Sequence, residues 1–114
     1  MKHALTCVLV CSLAMVGCDK FLSSSIEVRS RAASSITDIR AEIGGRHIRL
    51  ADIAPGESVK ANFEATADSA AILYYRLSTS DPVVECRGDI YVTVGMRVQV
   101  VVTIEPDGRC TVVE

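Results

Sequence analysis

The sequence predicts an all-β domain, a small β-sandwich of about seven to eight strands, and three observations carry that expectation. From Ile26 onward apolar and polar residues alternate with a period of two. Turn-forming Gly, Pro and Asp residues interrupt that alternation at short intervals. No segment beyond the first 17 residues holds an apolar stripe at helical spacing, although Ala65–Ala71 has room for one helical turn. A period of two puts successive side chains on opposite faces, which suits strands buried on one side only. A small closed β-barrel satisfies the same pattern and is the alternative architecture.

The elements follow in order. Ile26-Glu27-Val28-Arg29 opens the alternation, and Ile39-Arg40-Ala41-Glu42-Ile43 repeats it before Gly44-Gly45 turns the chain. Ile48-Arg49-Leu50 is a third short strand. Ala54-Pro55-Gly56-Glu57 predicts a type II turn, because Pro presets a negative φ and Gly accepts the positive φ that must follow. Val59–Ala65 then places four apolar residues on one face and three polar residues on the other. A helix would scatter those four around its circumference.

The second half continues in the same way. Ile72–Leu77 is rich in β-formers and ends near Ser80-Asp81-Pro82. Val83–Cys86 and Ile90–Val94 predict two short strands around Gly88. Arg97–Glu105 aligns Val98, Val100, Val102 and Ile104 on one face. Pro106-Asp107-Gly108 is a hairpin signal, so Cys110–Val113 should pair back on that run.

The start of the chain has a different character. Met1-Lys2-His3 is followed by a mostly apolar run over Ala4–Val16, 13 residues long. That is too short to span a bilayer as a helix, which takes about 20 residues, and suits the apolar core of a secretory signal. Leu13-Ala14-Met15-Val16-Gly17-Cys18 resembles the lipobox of bacterial lipoproteins: Gly17 supplies the small residue before the cut, and Met15 stands where Leu is more usual. The resemblance implies removal of residues 1–17, diacylglycerol on the Cys18 thiol, and often a further acyl group on its new amine. It implies retention at the inner membrane from Asp19. Residues 18–25 then read as a lipidated tether and 26–114 as the folded domain, facing the periplasm of a bacterial cell envelope.

Composition narrows the function classes. The chain carries 12 basic and 14 acidic residues, and the mature part, 97 residues, has a net charge of −3. So mild a balance argues against nucleic acid as a partner. Of the 5 cysteines, two remain once the leader is removed and Cys18 is acylated: Cys86 and Cys110. In an oxidising compartment such a pair closes into a disulfide, with two buried thiols as the alternative. The segment Leu50–Ser58 with the strand after it looks like a strand entry of immunoglobulin-like bacterial domains. The resemblance covers about a quarter of the chain and implies a sandwich. The absence of Trp argues against an antibody-type core.

Chemistry-bearing residues are few. His47, between Arg46 and Ile48, has no serine and acid placed for a triad and reads as a strand-end residue. Cys86 and Cys110 lie 24 positions apart on strand-like segments, unlike the Cys-x-x-Cys spacing of redox centres. One histidine and two cysteines leave a zinc site short of ligands, so no metal and no cofactor is expected. Asp81, Glu85 and Asp89 read as a solvated rim, since paired-carboxylate hydrolysis would require them to converge. Tyr74, Tyr75 and Arg76 remain. Adjacent tyrosines on a strand point to opposite faces, so one enters the core and the other, with Arg76, is the candidate binding patch.

These observations favour a lipid-anchored, non-enzymatic envelope domain. It would contact the membrane through Cys18 and bind an envelope protein, with an open strand edge as one route. The alternative is a secreted-type inhibitor or accessory subunit acting on an envelope enzyme such as lysozyme or a protease.

Overall fold

The computed structural model describes residues 23–114. The expected leader, Cys18, Asp19 and the expected tether up to residue 22 lie outside the described residues. Eight strands form: β1 (Ser24–Ser30), β2 (Thr37–Ile43), β3 (Arg46–Leu50), β4 (Ser58–Phe63), β5 (Ser69–Arg76), β6 (Val84–Val92), β7 (Gln99–Ile104) and β8 (Cys110–Val113).

They build two four-stranded sheets, ordered β4-β1-β7-β8 and β3-β2-β5-β6. The predicted sandwich is therefore the observed fold. The alternative barrel is not formed, because β3 and β4 and likewise β6 and β8 belong to different sheets and do not pair. All neighbours are antiparallel except β1 and β7, which run parallel from Ser25↔Gln99 to Ser30↔Ile104.

The period-two pattern sets the core. Ile26 and Val28 of β1 and Val100, Val102 and Ile104 of β7 point inward from one sheet. Ile39, Ala41 and Ile43 of β2 and Leu73 and Tyr75 of β5 meet them from the other. Burying a side chain of this size contributes about 1.5–3 kcal/mol, so this layer is the main source of stability. One slip of register would turn each strand's apolar set to water, which pins the pairing.

Turn chemistry follows the sequence. Gly44 and Gly45 both take positive φ, at 57° and 78°, and close β2 onto β3 in a two-residue hairpin. Gly56 has φ 80°, and the Glu57 amide donates to Ala54 at 3.0 Å, as the Pro-Gly turn requires. Gly108 has φ 88° in the β7–β8 turn.

Three details differ from the sequence reading. β1 begins at Ser24, so Ser24 and Ser25 belong to the sheet rather than to the tether, and both are buried. Their hydroxyls do not oppose burial when satisfied: Ser24 Oγ donates to the Met96 carbonyl at 3.3 Å and accepts from the Val98 amide at 3.0 Å. The two short strands expected around Gly88 are one continuous strand, β6, with a register shift against β5 between Ala70 and Ile72 that absorbs the irregularity. Residues 64–68 form a loop and Ser69–Ala71 join β5, so no helical turn appears there.

Candidate functional site

Cys86 and Cys110 are bonded, with their Cα atoms 6.1 Å apart. Cys86 lies on β6 and Cys110 on β8, the edge strands that flank one side of the sandwich. The bond therefore ties one sheet to the other where no hydrogen-bond ladder does so.

β5 decides the two tyrosines. Tyr75 points inward and is fully buried, and its hydroxyl donates to the Gly108 carbonyl at 2.5 Å. Burial, and then the Asp107 carboxylate, push its pKa above the usual 10.0. Tyr75 is thus a core residue, and the structure removes it from the candidate patch.

Tyr74 and Arg76 point to the outer face of the β3-β2-β5-β6 sheet. The registers arrange that face in rows. Arg49, Arg40, Tyr74 and Glu85 lie side by side across β3, β2, β5 and β6. The next row holds His47, Glu42, Ile72 and Arg87 in the same order. The Arg40 guanidinium carbon sits 5.2 Å from the centre of the Tyr74 ring, a cation–π contact that leaves Tyr74 half-buried. Arg87 Nε lies 3.3 Å from Glu85, and His47 Nδ1 lies 3.7 Å from Glu42.

Arg40 and Arg49 are direct cross-strand partners. Like charges in that relation repel, so this row stores unfavourable energy in the isolated domain. Reading the sequence alone missed Arg40, because its value as a site residue depends on strand pairing and not on its neighbours in the chain.

Arg76 lies at the end of the face. Its Nε is 3.1 Å from Asp38 Oδ2 but off the hydrogen-bond axis, and its Nη1 donates to the Asp81 carbonyl at 3.3 Å. Asp38 holds a positive φ of 51° at the β2 irregularity between Thr37 and Arg40. Arg76 thus braces a strained strand start as well as edging the face.

The remaining candidates separate. His47 is on the exposed edge strand β3, with 82% of its side chain in water. Asp81 lies in the β5–β6 loop, whereas Glu85 and Asp89 lie on β6. Among the described residues no group of three His, Cys, Asp or Glu side chains is placed to hold a metal ion.

The fold and its face define a class: a small two-sheet domain, bolted at one side by a disulfide, with a Tyr- and Arg-bearing outer sheet face. No family model and no curated protein matches the chain. It is similar in structure to a protein from Eubacterium rectale solved by NMR, at a TM-score of 0.54 and 11% identity, covering 81% of this chain and 87% of that one. At that identity the likeness is one of fold alone.

Proposed function

We propose that this chain is an exported lipoprotein, held at a bacterial envelope membrane by acyl chains on Cys18, whose sandwich has a non-enzymatic binding role. The outer face of β3-β2-β5-β6 is the contact surface. The observation that carries the binding reading is the Tyr74–Ile72 centre of that face, ringed by Arg40, Glu42, Glu85 and Arg87. Tyr and Arg around a small apolar centre are the residues that dominate protein contacts. The Cys86–Cys110 disulfide supports export, since such bonds persist in oxidising compartments.

The anchor is tested by intact mass and by fractionation. The native protein should lack residues 1–17 and carry acyl groups on Cys18, and Cys18→Ser should release it from membranes. A Cys18→Ser variant that stays membrane-bound sinks the anchor. The face is tested by in-cell crosslinking with mass spectrometry. Tyr74→Ala with Arg40→Ala should lose the crosslinks that the parent chain makes, and an unchanged set of crosslinked peptides would remove the face from the reading.

A further inference from the structure

Over its two central rows the outer face of the β3-β2-β5-β6 sheet is complementary to itself. Around the central strand β5, the β2 side reads Arg40 then Glu42, and the β6 side reads Glu85 then Arg87, with Tyr74 and Ile72 between them. Two such faces can be related by a twofold axis lying between them along β5. That rotation exchanges the β2 and β6 sides and keeps each row level. Arg40 of one copy then meets Glu85 of the other, and Glu42 meets Arg87. Tyr74 meets Tyr74 and Ile72 meets Ile72. Each charge pair occurs twice and the Tyr74 and Ile72 pairs lie on the axis, as an isologous interface requires.

We propose that the partner of this face is a second copy of the same chain in the same membrane. A twofold axis across the strands would also match opposite charges, since Arg40 would meet Glu42 and Glu85 would meet Arg87. The two arrangements differ in where the chain starts. With the axis along β5, Ser24 at the start of β1 lies at the same pole in both copies; with the axis across the strands, the two starts lie at opposite poles. Five residues separate Cys18 from Ser24, and a chain of that length, even fully extended, spans no more than about 20 Å. With either axis normal to the bilayer both anchors lie at one height, and the first arrangement is the one proposed because it puts Tyr74 on Tyr74 and Ile72 on Ile72 at the axis. The placement of both copies in one membrane rests on the Cys18 anchor proposed above.

The size of the face agrees with assembly on a membrane. Its three matched strands lie about 4.8 Å apart, making a strip about 15 Å wide and two rows long, which covers less than the roughly 800 Å² per partner of a standard stable interface. Confinement to one surface raises the effective concentration and compensates for a weak contact. The contacts Arg87–Glu85 and His47–Glu42 within one copy are exposed, and such contacts contribute little, so exchanging them across the twofold costs little. Tyr91, 59% exposed on β6, extends the apolar part of the same sheet.

The test uses the acylated full chain in phosphatidylcholine vesicles. Tyr74→Cys and, separately, Ile72→Cys each place one thiol near the axis, and each leaves the other apolar residue in place. Both should oxidise to a linked dimer, whereas Val113→Cys, exposed on the opposite sheet, should not. Adding Arg87→Glu should lower the linked fraction about tenfold, and adding Glu42→Arg to that variant should restore it. Monomers at both axis positions, in protein shown by mass to be acylated, overturn the dimer and leave the anchor standing. Failure of the charge exchange to restore linkage overturns this pairing geometry. An unacylated chain overturns the anchor and the same-membrane dimer together.

Discussion

The Tyr75 hydroxyl donates a 2.5 Å hydrogen bond to the Gly108 carbonyl, joining the centre of one sheet to the turn that closes the other. Tyr75→Phe keeps the ring and orphans that buried carbonyl, and the loss should be about 1–3 kcal/mol. Denaturant unfolding at pH 7 measures it. The same residue sets an alkaline limit. Its folded pKa is raised above the usual 10.0, so the folded state holds its proton more tightly than the unfolded state does. The stability this gives is complete below the unfolded value and is lost as pH rises from there through the folded one. Midpoints measured from pH 8 to pH 11 should fall more steeply in the parent chain than in Tyr75→Phe.

Reducing Cys86–Cys110 reopens a loop of 25 residues. On chain-entropy grounds that removes about 3 kcal/mol. Because the bond links edge strands of different sheets, amide exchange should rise first in β8. An unchanged unfolding midpoint in reductant, with thiol labelling at both positions, would argue against a stabilising role.

Gly88 has no side chain because Val112 occupies the space. A Cβ built at Gly88 would stand 2.6 Å from Val112 Cβ. Gly88→Ala should therefore destabilise the domain by about 1–3 kcal/mol through overpacking. Val112→Ala in the same chain should recover part of that loss, and additive costs for the two changes would contradict the contact.

Arg49 faces Arg40 across two strands. Arg49→Glu converts a repulsive cross-strand pair into an attractive one and should raise stability by about 0.2–1 kcal/mol at low salt. The gain should shrink as salt is added, because both groups are exposed. A loss of stability would mean that Arg49 has a favourable partner other than Arg40.

Much of the fold was legible because strands write themselves locally. The alternation in Val59–Ala65, the Pro55-Gly56 turn and the Gly44-Gly45 hairpin each needed only neighbouring residues to be read. Ser24 and Ser25 were misread as tether because nothing near them in the sequence shows the Val98 amide and Met96 carbonyl that satisfy the Ser24 hydroxyl or the Val98 carbonyl that accepts from the Ser25 amide. Gly88 looked like a break between strands, whereas its small size serves a contact with Val112 from the other sheet.

The candidate site divides in the same way. The sequence singled out Tyr74 and Arg76 on β5 but not Arg40, which sits 34 positions earlier than Tyr74 and reaches its ring only through the β2–β5 pairing. By itself the sequence determined the period-two alternation, the turns and the availability of two cysteines, since each depends on short-range sterics or composition. Only the tertiary structure decided that Tyr75 is core and Tyr74 is surface, that β6 and β8 lie close enough to be bonded, and that charges from three strands form one alternating face. Strand order and register set these relationships, and they arise from burying the apolar faces of all eight strands together, not from any one segment.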